Sequence, residues 1–232
     1  AVTDVTRGWT AGVDQDRPYP QQSVSKLWVA IALMRAADQG RIDPEGAVTL
    51  TESDRSVFFQ PVAYRIGPDG YQTRISELLH RALVESDNAA NDRLMRELGG
   101  PEGVAAELRE MGLTSVRVGA YERDLQALTA GLVWQPDYGI GWNFQAARAA
   151  LPMAEREAAM AAYLDHPLDG TAPAAITAAL AGPARVEVAG PGGLGRLPGA
   201  LDARLGLRRA APGRFAARRL AFSIGRDGAI AP

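Results

Sequence analysis

The chain has 232 residues with 25 basic and 27 acidic side chains, so its formal net charge is −2. That balance argues against a nucleic-acid binder that relies on bulk positive charge. Cysteine is absent and histidine occurs twice, which excludes disulfides and cysteine nucleophiles and makes a zinc site unexpected. No apolar run approaches the roughly 18 residues of a membrane-spanning helix, and Ala1–Val5 predicts a strand rather than a signal sequence. Of the basic residues, 24 are arginine, and the single lysine is Lys26.

The order of apolar residues and breakers predicts a mainly helical chain. The first strand is followed by a segment that contains Pro18 and Pro20. An apolar-rich helix is then predicted over Ser23–Gln39, ending at Gly40. Residues 45–72 are rich in proline and glycine and are predicted to be loops. Helical periodicity then predicts helices over Ile75–Glu85, Ala89–Leu98, Glu102–Met111, Phe144–Leu164 and Pro173–Ala181.

The final segment, from Gly182 to Pro232, has a different composition. Glycine, alanine, arginine and proline fill 35 of its 51 positions, and nine arginines accompany three acidic residues. Within it, Ala184–Val188 and Leu220–Ile224 are predicted strands. Such low complexity is typical of a solvated, poorly ordered extension. A GC-rich gene read in the wrong frame gives the same composition, and the nucleotide sequence near Gly182 distinguishes the two interpretations.

Lys26 follows Ser23 by three residues at the start of the apolar helix. Positions i and i+3 lie on one helix face, about 5 to 6 Å apart at Cβ. A deprotonated amine there can take the serine proton, and the helix N-terminus favours a developing oxyanion. Alternatively, Ser23 caps the helix and Lys26 is a solvated charge in the first turn, although the helix dipole opposes a cation at that position.

A second polar motif, Ser86-Asp87-Asn88, lies at the junction of two predicted helices. In one interpretation, Ser86 or Asp87 caps the helix that begins near Ala89. In the other, the Ser86 hydroxyl and the Asn88 amide point into a cleft that faces Ser23. The two interpretations are compatible.

Together these motifs resemble those of the class A serine β-lactamases, whose signature is Ser-x-x-Lys, Ser-Asp-Asn and Lys-Thr-Gly. The resemblance extends to Leu98–Gly103, and Tyr121–Gln126 resembles the Ω loop of that family, Arg-x-Glu-Pro-x-Leu-Asn. It implies that Glu122 activates the hydrolytic water and that Gln126 replaces the asparagine that orients this water. Phe59 lies where the family often has an aromatic residue at the mouth of the cleft.

The resemblance implies hydrolysis of β-lactam antibiotics through a serine acyl-enzyme, without a metal or an organic cofactor. It further implies a monomer in the periplasm or outside the cell, with a small-molecule substrate, no nucleic-acid partner and no membrane span. The implied catalytic residues are Ser23, Lys26, Ser86 and Glu122, and the implied substrate-binding residues are Asn88, Gln126 and Phe59. Two alternatives stay open: a penicillin-binding protein or D-Ala-D-Ala peptidase, against which Glu122 argues, and a catalytically inactive remnant.

The fold that the resemblance implies is α+β, with an antiparallel sheet packed by helices and an all-helical lobe beside it. The whole chain is then one domain, with residues 1–44 and 165–232 in the α/β lobe and residues 45–164 in the helical lobe. We expect the helical lobe to be well formed and the sheet to be incomplete towards the C-terminal end.

The third family motif has no counterpart in this sequence. The resemblance spans residues 1–181, and no Lys-Thr-Gly, Lys-Ser-Gly or Arg-Thr-Gly follows Glu122. The nearest match, Asp169-Gly170-Thr171, lacks the cation and the order of the motif. In the family this motif helps to bind the substrate carboxylate, and its strand supplies one N–H of the oxyanion hole. We therefore expect impaired activity.

Overall fold

The structure is a computed structural model that describes residues 1–185, 207–210, 214–217, 223–224 and 230–231. The chain divides into two compact units, Ala1–Gly193 and Leu194–Pro232. None of the described helices is long and apolar enough to cross a membrane.

The first unit contains most of the described elements, which are predominantly helical. Its helices are α1 Lys26–Asp38, α2 Ile75–His80, α3 Asn88–Glu97, α4 Gly100–Glu110, α5 Glu122–Thr129, α6 Asn143–Ala150, α7 Met153–Asp165 and α8 Pro173–Arg185. Its strands form two antiparallel hairpins, β1 Val2–Asp4 with β2 Trp9–Ala11 and β3 Ala47–Leu50 with β4 Tyr71–Arg74.

The second unit contributes two further antiparallel hairpins to the described residues. These are β5 Leu207–Ala210 with β6 Arg214–Ala217, and β7 Ser223–Ile224 with β8 Ile230–Ala231. Every sheet in the described ranges is two-stranded. A mixed fold of helices and small antiparallel sheets, with an incomplete sheet, is thus confirmed.

The hydrophobic core is built around α1. Trp28, Ala32 and Leu33 are completely buried, and α1 packs against α3 and α4. Fully burying a side chain such as leucine stabilises a fold by roughly 1.5 to 3 kcal/mol. The indole N–H of Trp28 also donates to Gln21 Oε1 at 2.6 Å, which ties the segment before α1 to its buried face. The core thereby fixes the start of α1, where Lys26 lies.

The backbone between α2 and α3 departs from α-helical geometry just before and at Ser86. After α2 it widens into a turn of π-helix over Arg81–Glu85, and Ser86 then has left-handed backbone angles, φ 59° and ψ 31°. Asp87 caps α3, because its carboxylate accepts the Ala90 N–H at 3.0 Å. The polar helix junction predicted at this motif is confirmed, with Asp87 as the capping residue.

Two helix and strand predictions in the first unit are wrong. The helix predicted over Phe144–Leu164 is divided into α6 and α7, because Pro152 lacks the N–H that would continue the helical hydrogen bonds. Strand β3 lies within the span predicted to be loops, and β4 begins at the end of that span and continues to Arg74. Buried and exposed side chains alternate in β3, and partly buried and exposed side chains alternate in β4. A period of two is hard to recognise over only four residues.

The strands predicted within Gly182–Pro232 lie only partly among the residues that the structure describes. Ala184 and Arg185, predicted as part of a strand, belong to α8, while residues 186–188 lie outside the described residues. Of the predicted strand Leu220–Ile224, the last two residues form β7, and the others lie outside the described residues. The two interpretations of Gly182–Pro232 rest on its composition, and most of that segment is likewise outside the described residues.

Candidate active site

Lys26 is the first residue of α1, and its side chain is only 2% exposed. A buried ammonium needs compensating partners, because its removal from water is costly. Four side chains supply them: Lys26 Nζ lies 2.7 Å from Asn88 Oδ1, 2.9 Å from Ser23 Oγ, 3.3 Å from Ser86 Oγ and 3.1 Å from Glu122 Oε1. The interpretation of Lys26 as a solvated charge is therefore wrong.

Ser23 lies one turn before Lys26, in a short 3-10 helix over Gln22–Ser25 that leads into α1. Its side chain is on the exposed side of this turn. The Ser23 hydroxyl accepts one hydrogen bond from Lys26 Nζ and another from Ser86 Oγ at 2.9 Å. It contacts these two side chains and not a backbone N–H of α1, so the interpretation of Ser23 as a helix cap is wrong. An accessible hydroxyl with a buried amine beside it has the geometry of a nucleophile with its base.

Asn88 is held by the segment that precedes the motif. Its side-chain N–H donates to Val57 O at 3.0 Å, and its backbone N–H donates to Phe59 O at 2.9 Å. These bonds turn the amide oxygen towards Lys26 and leave the second amide hydrogen for another acceptor. The Phe59 side chain is 55% exposed, and its backbone carbonyl supports Asn88.

Glu122 begins α5, and its side chain is 3% exposed. Its position depends on Asp92, whose Oδ1 accepts the Glu122 N–H at 2.6 Å and whose Oδ2 accepts the Arg123 N–H at 3.2 Å. Ser56 donates its hydroxyl to Asp92 Oδ2 at 2.9 Å. Burial is the larger cause, and the negative charge of Glu122 the second, of a rise in the pKa of Asp92 to about 7. The Asp92 carboxyl group therefore fixes the start of α5 from outside that helix.

Gln126 lies one turn after Glu122 on α5, so both side chains share a helix face. Its side-chain N–H reaches Glu122 Oε2 at 3.4 Å and Gln22 Oε1 at 3.2 Å. Gln126 thus connects the candidate general base to the residue directly before Ser23.

Arg123 connects the start of α5 to two aromatic rings and a backbone carbonyl. Its guanidinium lies 5.6 Å from the centre of the Tyr121 ring and 5.2 Å from that of Trp134. It also donates to Ser53 O at 2.8 Å. Stacking of a guanidinium between aromatic rings is favourable, so these contacts hold the Ω-like segment where the family motif has a proline.

Six of the seven residues predicted from the sequence meet in one polar cluster: Ser23, Lys26, Ser86, Asn88, Glu122 and Gln126. Phe59 joins it through its backbone. Three further residues around the cluster, Asp92, Gln22 and Asp169, were not predicted from the sequence. The spacing of Asp92, four residues after Asn88, indicates the same face of α3 but not its bonds to the start of α5. Among the described residues, no group of three histidine or acidic side chains is arranged to hold a metal ion.

Solved structures of class A β-lactamases share this fold. An ancestral class A enzyme matches with a TM-score of 0.54 at 26% identity, over 77% of this chain and 54% of that one. A variant of the last common ancestor of Gram-negative class A enzymes matches with a TM-score of 0.58 at 26% identity, over 82% of this chain and 57% of the other. The fold is therefore that of a class A serine β-lactamase-like protein.

The model of the β-lactamase enzyme family matches residues 1–162. The chain belongs to this family. Extended-spectrum β-lactamase PER-1 of Pseudomonas aeruginosa is 28% identical over 110 residues, covering 47% of this chain and 36% of the relative. β-Lactamase VEB-1 of Pseudomonas aeruginosa is 27% identical over 117 residues, covering 50% and 39%. The chain thus spans well under half the length of these curated relatives.

Proposed function

We propose that this chain hydrolyses β-lactams through an acyl-enzyme on Ser23. The observation that carries the proposal is the position of Lys26 Nζ, 2.9 Å from Ser23 Oγ and 3.1 Å from Glu122 Oε1. One buried amine is thereby connected both to a nucleophile and to a candidate base for deacylation. Such a pair of acid–base groups is what two-step acyl transfer requires.

In the acylation step, Ser23 Oγ attacks the lactam carbonyl carbon. The hydroxyl proton passes to Lys26, or through a water to Glu122; which base acts is disputed for this class of enzyme. Ser86 Oγ, 2.9 Å from Ser23 Oγ, delivers a proton to the lactam nitrogen as the C–N bond breaks, and takes a replacement proton from Lys26 Nζ, 3.3 Å away. The Ser23 backbone N–H, in the first turn of its helical segment, is one donor to the oxyanion.

In the deacylation step, Glu122 takes a proton from a water that attacks the acyl carbon. Gln126 is placed to orient that water, since its amide lies 3.4 Å from Glu122 Oε2. The bond between Ser23 Oγ and the acyl carbon then breaks, and Ser23 Oγ regains a proton from Glu122 by way of Lys26 Nζ, which lies beside both groups. Asn88 has one amide hydrogen free of its bond to Val57 O and donates it to a carbonyl of the substrate side chain.

Activity of this chain is expected to be low. Its sequence contains no Lys-Thr-Gly motif, which in the family supplies a cation for the substrate carboxylate and a second oxyanion donor. Loss of one oxyanion donor alone typically lowers turnover by about 100- to 1000-fold. We further propose, from the family, that the protein works as a monomer in the periplasm or outside the cell.

Incubation with a fluorescent penicillin, followed by gel fluorescence and intact mass, tests the proposal. We expect a covalent adduct that forms and then decays, and no adduct on Ser23→Ala. Ser53→Ala, which alters an exposed serine away from Lys26, is the matched control and should behave as the unsubstituted chain. Turnover supports a β-lactamase. A stable adduct on Ser23 indicates a penicillin-binding protein, while a missing adduct, or an equal one on Ser23→Ala, overturns the proposal.

A further inference from the structure

We propose that Asp169 is a positioning residue for acylation, which holds the Gln21–Gln22 backbone so that Ser23 faces Lys26 and Ser86. The inference rests on the proposed function, because it concerns the nucleophile of that reaction. Asp169 touches none of the reacting groups and acts through the two residues before Ser23.

Asp169 is completely buried, and its carboxyl group accepts three hydrogen bonds. Oδ2 accepts the backbone N–H of Gln21 at 3.0 Å and that of Gln22 at 2.7 Å. Oδ1 accepts the hydroxyl of Tyr163 at 2.9 Å. Two consecutive backbone N–H groups that converge on one oxygen fix the orientation of both peptide units, and the next residue is the nucleophile.

These bonds hold the backbone before Ser23 in a strained conformation. Gln22 has φ 50°, a left-handed value that side chains with a Cβ rarely adopt. Ser25 supports the turn from the other side by donating its hydroxyl to Gln22 O at 2.7 Å. Because backbone strain persists only where its surroundings enforce it, the Asp169 carboxyl is the group that holds this turn from the protein interior.

Asp169 is itself held firmly. The chain around Thr171 runs antiparallel to Tyr19, with Tyr19 N–H to Thr171 O at 3.2 Å and Thr171 N–H to Tyr19 O at 3.1 Å. Gln21 donates its side-chain N–H to Asp169 O at 2.6 Å. Gly119 packs against it so closely that a Cβ there would lie 3.1 Å from Asp169 N and 3.3 Å from Asp169 Cβ. These contacts thus fix the position of the Asp169 carboxyl group.

The same cluster reaches the deacylation side of the site. Gln22 donates its side-chain N–H to Tyr163 OH at 2.6 Å, and its Oε1 accepts from Gln126 at 3.2 Å. Asp169 therefore holds Ser23 directly through the backbone, but Gln126 only through the Gln22 and Tyr163 side chains. Its removal should slow acylation more than deacylation.

Substitution at Asp169 tests the inference. Asp169→Ala removes the acceptor of both N–H groups, and a misplacement of about 1 Å in a catalytic group typically costs about 100-fold in rate. The Asp169 variants are measured in the Glu122→Gln background, in which the adduct is expected to persist. There we expect the rate constant of labelling by a fluorescent penicillin to fall by about that factor, with the same final labelled fraction. Asp169→Asn keeps one oxygen for the two N–H groups and should recover most of the rate. Asp165→Asn, an exposed change at the end of α7, is the control.

The shape of the time course separates positioning from a loss of folding. A merely structural role for Asp169 lowers the labelled fraction and leaves the rate constant of the folded molecules unchanged. Hydrogen exchange of a peptide that covers residues 19–25 gives a readout independent of activity, and we expect faster exchange in Asp169→Ala. Labelling of Asp169→Ala at the unsubstituted rate overturns this inference while the proposed function stands. An unlabelled parent chain overturns both.

A second variant applies if Asp169→Ala does not fold. Gly119→Ala pushes on Asp169 without removing any hydrogen-bond partner, and we expect severalfold slower labelling. Gly40→Ala is its matched control, because Gly40 has a similar positive φ of 71° with open space around it. Equal labelling rates for the two alanine variants overturn the inference.

Discussion

Lys26 Nζ lies 3.1 Å from Glu122 Oε1, and both side chains are almost completely buried. Buried ion pairs of this kind contribute little net stability, because desolvation offsets most of their attraction. Removing one partner alone, however, leaves an unpaired charge in the interior. The two members of the pair therefore depend on each other, and the pair also lies on the proposed route by which a proton passes between Glu122 and Ser23.

The first prediction concerns the type of cation at this position. Lys26→Arg keeps the charge but replaces a compact amine by a planar guanidinium that does not release its proton at ordinary pH. We expect no labelling by a fluorescent penicillin over the time in which the unsubstituted chain is fully labelled. Arg35→Lys, on the same helix, changes a cation that pairs with Glu107 and Glu110 instead, and it should label normally. Labelling of Lys26→Arg at the normal rate would show that Lys26 need not exchange a proton.

The second prediction concerns the stability of the pair. Lys26→Met leaves Glu122 buried without its cation, and we expect the free energy of unfolding to fall by about 3 to 5 kcal/mol. The double variant Lys26→Met with Glu122→Gln contains no unpaired charge and should recover a large part of that loss. Urea unfolding of the four members of the cycle measures the coupling. Additive losses would mean that the two side chains do not interact in the folded protein.

The third prediction separates the two half-reactions. Glu122→Gln keeps the shape of the side chain but removes its ability to take a proton from water. We expect the adduct to form and then persist, so intact mass should show an acyl-enzyme after the unsubstituted chain has returned to its free mass. Glu102→Gln is an exposed control on α4. Decay of the adduct at the normal rate would remove Glu122 from the deacylation step.

The fourth prediction uses the left-handed backbone of Ser86. Ser86→Gly and Ser86→Ala both remove the hydroxyl that lies 2.9 Å from Ser23 Oγ, so both should slow acylation to the same extent. Only glycine adopts φ 59° without steric cost. We expect the glycine variant to be more stable than the alanine variant by about 1 kcal/mol in urea unfolding. Different acylation rates for the two would indicate that the backbone, and not the hydroxyl, limits the reaction.

The sequence predicted the parts of this molecule that depend on local spacing. Ser23 and Lys26 are three residues apart on a helical segment, and Asp87 directly precedes the helix it caps, so short-range geometry was enough. The left-handed angle of Ser86 had no such signal. Asp92 and Asp169 escaped prediction because their partners are backbone N–H groups 30 and 148 residues away in the chain. A carboxylate that binds distant backbone has no sequence signature, since any residue can supply the N–H.

The last prediction concerns the pH dependence that Asp92 gives to stability. Its pKa of about 7 lies above the 3.8 of an unperturbed aspartate, because the side chain is buried and lies near the negative charge of Glu122. The folded state therefore binds this proton more tightly than the unfolded state does. The resulting stabilisation is fully present below about pH 4 and is lost as the pH rises through about 7.

Asp92→Asn isolates this effect, because the amide keeps an oxygen for the Glu122 N–H and does not titrate. Any change in hydrogen bonding with Ser56 or Arg123 adds an offset that does not depend on pH. We expect the stability of the asparagine variant, relative to the unsubstituted chain, to rise by up to about 4 kcal/mol between pH 4 and pH 8. Urea unfolding of both chains at four pH values measures this difference. A constant difference across the range would mean that Asp92 keeps an ordinary pKa, and that its two bonds to the start of α5 are made by an ionised carboxylate.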